Sequence, residues 1–339
     1  MRTALLLSLV LLAQYRVGCE CGEGPRRADA GVDAGAQDDA GLDAGPPDGG
    51  APDAGEPDAG RDGGRVSDGG CTWCLGPRAA ATLYRVHFSA ADEGWAVGAA
   101  GLALHWSDGG WAAVPTPTTS DLHAVFGASA SSAWAAGDDG TVLRWDGAAW
   151  ASSDAGTSTP LRALWGRSAS ELWAAGLGGT VLRWTGSGWN PVDAGTAEDL
   201  QGLWGAGTIL WLAGGGGVLA QWDGAAFQRV DSGTGASLEQ LWGLGPDDVW
   251  LVGSAGLVEH WDGVRWTRRV TPTTDTLRGV WGAATDDVWA VGFNGALVHW
   301  DGAQWVQEVS PSPNNFYGAW GAGLTHWVVG AGGVMIERR

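Results

Sequence analysis

The chain has 339 residues, 38 acidic and 19 basic, every basic one an Arg, for a net charge of −19. That balance excludes a nucleic-acid binder that works by neutralising phosphates, and it disfavours adhesion to anionic membrane surfaces. The 59 Gly follow no strict third-residue period, which excludes collagen, and 24 Trp beside 5 Phe and 3 Tyr call for a structural explanation.

The chain opens with Met1 and Arg2, then Leu5, Leu6, Leu7, Leu9, Val10, Leu11 and Leu12. A positive start, an apolar run of about ten residues and small residues after it make residues 1–18 read as a secretory signal peptide. The run is too short to span a bilayer as a helix. Gly18-Cys19 resembles a bacterial lipobox, although Arg16 stands where an apolar residue is expected. Two outcomes follow: Cys19 is lipidated and anchors the chain to the outer envelope, or cleavage nearby releases a periplasmic or secreted protein.

Residues 19–70 read as a linker rich in Asp, Ala, Gly and Pro, with Asp-Ala-Gly recurring at Asp29, Asp33, Asp43, Asp53 and Asp58. Such a segment cannot bury enough apolar surface to offset its ordering entropy, so it is expected to be a disordered tether. Its Asp spacing matches neither the EF-hand loop nor the Gly-rich nonapeptide calcium repeat.

From Trp73 onward the sequence repeats every 38 or 39 residues, in units starting near 83, 121, 160, 199, 237, 276 and 315. In the sixth unit, Leu277–Gly282, Asp287–Gly292 and Gly295–Gly302 are short apolar runs bounded by Gly or Asp, and Trp305 lies in a fourth. Composition and punctuation predict four strands per unit. The aromatic residues fall into four columns. The first is Phe88, Phe126, Trp165, Trp204, Trp242, Trp281 and Trp320; the second is Trp95, Trp134, Trp173, Trp211, Trp250, Trp289 and Trp327. The third is Trp106, Trp145, Trp184, Trp222, Trp261, Trp300 and Arg338; the fourth is Trp111, Trp150, Trp189, Phe227, Trp266 and Trp305.

The seventh unit ends before its fourth column, but Trp73 lies 15 residues before Phe88, the same spacing that links each fourth column to the next first column. An N-terminal strand around Trp73 therefore completes the last sheet. Residues 71–339 are expected to form an all-β, seven-bladed β-propeller of four-stranded antiparallel blades. Asp146-Gly147, Asp223-Gly224, Asp262-Gly263 and Asp301-Gly302 are hairpin signals between the third and fourth strands. The Trp columns recur in every blade, so packing between blades accounts for them, with strand-end carbonyls expected to receive the indole N–H groups.

The pattern best kept in Trp281–Trp305 resembles secreted bacterial β-propeller repeat proteins, of the style of the Asp-box (BNR) and kelch propellers. The resemblance covers residues 71–339 and implies architecture more than activity, since such propellers serve as binding modules, lectins and enzymes. The Asp-box motif itself is not matched, because here Asp and Trp are spaced as in Asp301-Gly-Ala-Gln-Trp305.

Function is sought where the repeat breaks. Three residues before the first column stand Arg85, His123, Arg162, Gln201, Glu239, Arg278 and Tyr317, every one polar or carrying a polar tip and varied from blade to blade. This ring is expected at one mouth of the central channel. Just before the third column lie His105, Arg144, Arg183, Gln221, His260, His299 and Glu337, which read as structural hydrogen-bonders rather than metal ligands. No nucleophile elbow, phosphate loop or dinucleotide fingerprint is present. Cys71 and Cys74, three apart in an extended strand, are too distant for a mutual disulfide, which leaves Cys21 as the expected partner of one of them.

These features describe an exported, monomeric, non-catalytic module without metal or cofactor, presenting the channel mouth and loops 115–121, 153–160 and 269–276 to an envelope or extracellular protein or glycan. Two alternatives stand beside it: a multivalent lectin with sugar sites between blades, and a sialidase-like glycan hydrolase. The second needs paired carboxylates, and the ring offers Glu239 alone.

Overall fold

The computed structural model describes residues 73–322 and 325–338. The expected signal peptide, Cys19, the acidic linker and Cys21 and Cys71 lie outside the described residues. The chain forms seven four-stranded antiparallel sheets. The seven inner strands are Leu83–Ala90, Leu122–Ser129, Leu161–Ser168, Leu200–Ala206, Leu238–Gly245, Leu277–Ala284 and Phe316–Ala322. Six sheets follow the chain from inner to outer strand. The seventh consists of Phe316–Ala322, Thr325–Gly330 and Met335–Arg338, completed by Cys74–Leu75. Cys74 pairs with Glu337 and Leu75 with Ile336, so the circle closes by strand addition, as the spacing of Trp73 requires. Closure leaves no end blade with an uncovered face.

The Trp columns form a zipper between neighbouring blades. Each second-column Trp is almost fully buried and receives two residues from the next blade, one from its third column and one from its fourth. Trp95 meets Trp145 and Trp150, with ring centroids 5.0 and 4.8 Å apart. Trp250 meets Trp300 and Trp305 at 5.3 and 5.4 Å. Across the closure, Trp289 receives Trp73 edge-on at 5.1 Å, and Arg338 replaces the third-column ring with its guanidinium 4.7 Å above the same indole. Burying a Trp contributes roughly 5 kcal/mol gross at ~25 cal/mol per Å².

The indole N–H groups depart from expectation. Trp145 and Trp300 donate to the strand-end carbonyls of Ala130 and Thr285. The buried nitrogens of Trp95, Trp134, Trp211, Trp250 and Trp327 reach no acceptor. Ring packing outweighs the ~1–3 kcal/mol cost of each unpaired donor.

One register differs from the sequence reading. In six blades the first-column aromatic pairs with the second-column Trp, as Phe126 does with Trp134 and Trp281 with Trp289. In blade 1 the residue facing Trp95 is His87, and Phe88 pairs with Gly94. Phe88 thus occupies the place that is Gly127, Gly166, Gly205, Gly243, Gly282 and Gly321 elsewhere. The spacing of 15 from Trp73 coincided with an aromatic one residue beyond the true column.

The turns obey local chemistry. Between second and third strands, Gly101, Gly140, Gly179, Gly217, Gly256, Gly295 and Gly333 all take positive φ, and a Cβ at Gly179 would stand 1.9 Å from the Thr196 carbonyl oxygen. The Asp-Gly turns close over four residues rather than two. Asp146 Oδ1 accepts the N–H groups of Ala148 and Ala149, and Asp223, Asp262 and Asp301 repeat the pattern. Cys74, on the closing strand, is disulfide-bonded.

Candidate functional site

Each inner strand begins with a fully buried apolar anchor: Leu83, Leu122, Leu161, Leu200, Leu238, Leu277 or Phe316. The residue after the anchor is skipped in the ladder in every blade. Leu83 pairs with Gly98 and Arg85 with Val97, which leaves Tyr84 unpaired, and the same shift recurs in the other six blades. Such a bulge turns one side chain away from the sheet faces. Seven bulges bring Tyr84, His123, Arg162, Gln201, Glu239, Arg278 and Tyr317 around the channel mouth.

Of the residues expected in this ring, His123, Arg162, Gln201, Glu239, Arg278 and Tyr317 all line one cavity at the mouth. The blade 1 member is Tyr84, not Arg85, for the same one-residue reason that displaced Phe88. Arg85 nevertheless faces the channel. It lines the mouth cavity of about 500 Å³ together with the whole ring, Asp199 and Phe293. It also lines a narrower cavity of about 100 Å³ deeper in the channel, as does Gln201. Arg85 therefore stands at the floor of the mouth.

The mouth has an aromatic side and a charged side. Tyr84 lies 4.7 Å from the His123 ring and 5.6 Å from Tyr317, which in turn meets Phe293 at 6.4 Å. The Tyr84 hydroxyl donates to Asp121 Oδ2 at 3.0 Å; burial and that carboxylate push the phenol up to about 12. His123 Nε2 is 3.0 Å from Asp138 Oδ1, and Arg162 Nη1 is 3.3 Å from the same oxygen. Burial, then the nearby Arg162, lowers the His123 pKa, so the imidazole is neutral near pH 7. Arg278 Nη1 bonds Glu239 Oε2 at 3.0 Å, and Ser237 donates to Glu239 Oε1 at 2.8 Å.

Arg85 is the exception. Its Nη1 is buried and reaches no hydrogen-bond acceptor. Burial and repulsion from Arg278 depress its pKa to about 10, still charged near neutrality, while Glu239 acts in the opposite direction. The matching residues in the other blades are Ala124, Ala163, Gly202, Gln240, Gly279 and Gly318, none of them charged.

Sequence reasoning missed the loop carboxylates. Asp121, His123 and Asp138 offer three ligand atoms within 4.8 Å of one another, a spacing a cation could bridge, but Arg162 already supplies positive charge to Asp138. The His before the third column are structural. His105, His260 and His299 stack on Trp95, Trp250 and Trp289 and bond Glu93, Asp248 and Asp287 of their own blades at 2.7–2.8 Å.

No protein-family model matches the sequence, and no curated protein matches it. Solved structures match the fold. YCF48 bound to D1 peptide superposes with a TM-score of 0.64 at 18% identity, over 78% of this chain and 94% of that one. YCF48 from Cyanidioschyzon merolae gives 0.65 at 17%, over 79% and 99%. Virginiamycin B lyase from Staphylococcus aureus gives 0.69 at 12%, over 78% and 98%, and the WD40 propeller of Doa1 gives 0.68 at 12%, over 78% and 95%. These likenesses establish a seven-bladed propeller and include both a peptide binder and a lyase, so fold alone does not choose between binding and catalysis.

Proposed function

We propose that the protein is an exported, non-catalytic binding module that presents its channel mouth to an extracytoplasmic partner. One observation carries the reading. Core columns largely repeat one residue type from blade to blade, whereas the seven bulged residues at the mouth are of five types, Tyr, His, Arg, Gln and Glu, and together line a polar cavity of about 500 Å³. Export follows from the signal-like residues 1–18, and the Asp/Ala/Gly/Pro-rich residues 19–70 would hold the propeller away from an anchor at Cys19 or from the start of a released chain.

The mouth chemistry favours binding over hydrolysis. Tyr84 is held as a phenol, and both oxygens of Glu239 are engaged. Neither is poised as nucleophile or general acid in the way a glycoside hydrolase requires. The lectin alternative loses support because the second-column Trp rings are buried between blades rather than displayed to a sugar.

A photo-crosslinking amino acid at Tyr317 tests the reading against the same probe at Val264, which is 82% exposed on the opposite face. Adducts in envelope extracts from position 317 and not from 264 support mouth binding. Adducts from 264 alone, or steady turnover of a glycoside or sialoside panel by the full chain, would refute it.

A further inference from the structure

We infer that Arg85 receives a carboxylate of a basic peptide, which enters the mouth with its positive side chains against the loops of blades 2 to 4. The inference rests on the mouth being the binding face and names the chemistry of what binds there.

Three arginines meet at the mouth, and two have partners in the free protein. Arg162 is 3.3 Å from Asp138, and Arg278 is 3.0 Å from Glu239. Arg85 has a buried nitrogen with no acceptor, at the floor of a cavity open to solvent above it. A buried guanidinium nitrogen without a partner is costly, and departures of this kind are expected at functional or strained sites. A carboxylate fits the planar fork of a guanidinium through two parallel hydrogen bonds.

The rim supplies the second half of the recognition. Asp139, Asp154, Asp193, Glu198, Asp199 and Asp231 are all exposed in the mouth-side loops and turns of blades 2 to 4. Those segments contain no Arg, and the chain contains no Lys. Among the described residues, none of the six forms an ion pair; the Asp carboxylates take only neutral donors, as Asp193 takes the Gly195 N–H at 2.8 Å and Asp199 the Gly178 N–H at 2.9 Å. An acidic arc around a basic floor repels a purely anionic ligand at long range and attracts a cationic one. A ligand satisfying both needs one carboxylate and nearby cations. A peptide carrying Lys or Arg close to a carboxylate has this pattern. A sialylated glycan has the carboxylate without the cations.

The test uses the purified full chain and three random octapeptide libraries. The first has amidated C-termini and no Asp or Glu. The second has free C-termini and is otherwise identical. The third is amidated but includes Asp and Glu. Retained peptides are identified by mass spectrometry in low and high salt. The expected result is background retention of the first library and at least tenfold enrichment of the second or third, with Lys or Arg near the carboxylate and loss in high salt. Which of the two is enriched distinguishes a chain terminus from an acidic side chain. Arg85→Met should reduce retention at least tenfold while leaving the melting temperature unchanged or higher; Arg85→Lys should keep part of the binding. Equal retention of all three libraries, no retention of any, or retention of sialyllactose in their place overturns the inference. If retention survives Arg85→Met but is lost in Gln201→Trp, which obstructs the mouth, the carboxylate assignment fails and the mouth stands. If it survives both, both readings fail.

Discussion

Trp73 lies edge-on to Trp289 with ring centroids 5.1 Å apart, the same contact that Trp305 makes with Trp250 one blade earlier. The first described residue of the chain is thus an outer-column ring of the last blade, seated on the sixth. A strand of only two residues, Cys74–Leu75, the disulfide of Cys74 and the Gly76 and Ala79 N–H bonds to Met335 and Gly333 hold it there, and the buried ring adds to that closure. Trp73→Ala should cost about 4 kcal/mol. Chemical denaturation at neutral pH checks this, with Trp305→Ala as the comparison. A loss under about 1 kcal/mol would mean that the propeller closes without that contact.

Blade 1 inverts a size pattern. Elsewhere a Gly on the inner strand faces a larger residue on the second strand, as Gly282 faces Val288; here Phe88 faces Gly94. A Cβ at Gly94 would stand 2.6 Å from the Phe88 ring. Gly94→Val should therefore be destabilising by overpacking, and Phe88→Gly by leaving a cavity, each by about 2–4 kcal/mol. The double variant restores the arrangement of the other blades and should recover at least half of the summed loss. Additive losses in the double-mutant cycle would show that the two positions are not coupled.

The same inversion shows what the sequence conveyed and what it withheld. Blade number, strand number and closure were legible because Trp, Gly and Asp recur at fixed spacing, and the physical demands of inter-blade packing and tight turns are the same in every unit. Phe88 is aromatic like the first-column residues, but it pairs with Gly94 while His87 faces Trp95, and pairing is not written in residue type. Counting from the apolar anchors would have found the true mouth residue, since each ring member directly follows Leu83, Leu122, Leu161, Leu200, Leu238, Leu277 or Phe316. The rim carboxylates were hidden for a different reason. Asp121 and Asp199 directly precede the anchors Leu122 and Leu200, and Asp138 stands in the turn after the second strand of blade 2, so their place at the rim follows from strand pairing and not from a residue type that repeats in every unit.

The turns between second and third strands contain an internal comparison. Their middle residue has positive φ in all seven blades and is Gly178, Gly216 and Gly332 in three, but Ala100 and Ala255 in two. A left-handed conformation strains an Ala and not a Gly. Ala255→Gly should stabilise the protein by up to about 1 kcal/mol, and Gly178→Ala, with open space around its Cβ position, should destabilise it by a similar amount. Paired thermal melts measure both. A loss on Ala255→Gly would mean that unfolded-state entropy dominates at these turns.

Two histidines whose pKa values are depressed make stability depend on pH. His87, between the Phe126 and Trp320 rings, accepts the Gly127 N–H on Nδ1 at 3.2 Å, and burial lowers its pKa to about 3. Burial, with repulsion from Arg338 as a lesser cause, lowers that of His326 to about 4. Both stay neutral in the folded chain at pH values where the unfolded chain, with His near 6.5, binds protons. Their contribution is present above pH 6.5 and is lost progressively as pH falls toward 4 and 3, at up to about 1.4 kcal/mol per pH unit for each histidine. His123, shifted the same way, adds to the slope. Asp287, held at about 2 chiefly by His299, extends the loss below pH 4, because its stabilisation disappears as pH falls from the normal carboxylate range through its folded pKa. Denaturant melts should lose about 4 kcal/mol between pH 7 and 5. His326→Val, which installs the residue that blades 5 and 6 carry as Val249 and Val288, should reduce that loss by about half. An unchanged slope in His326→Val would place the acid sensitivity elsewhere in the molecule.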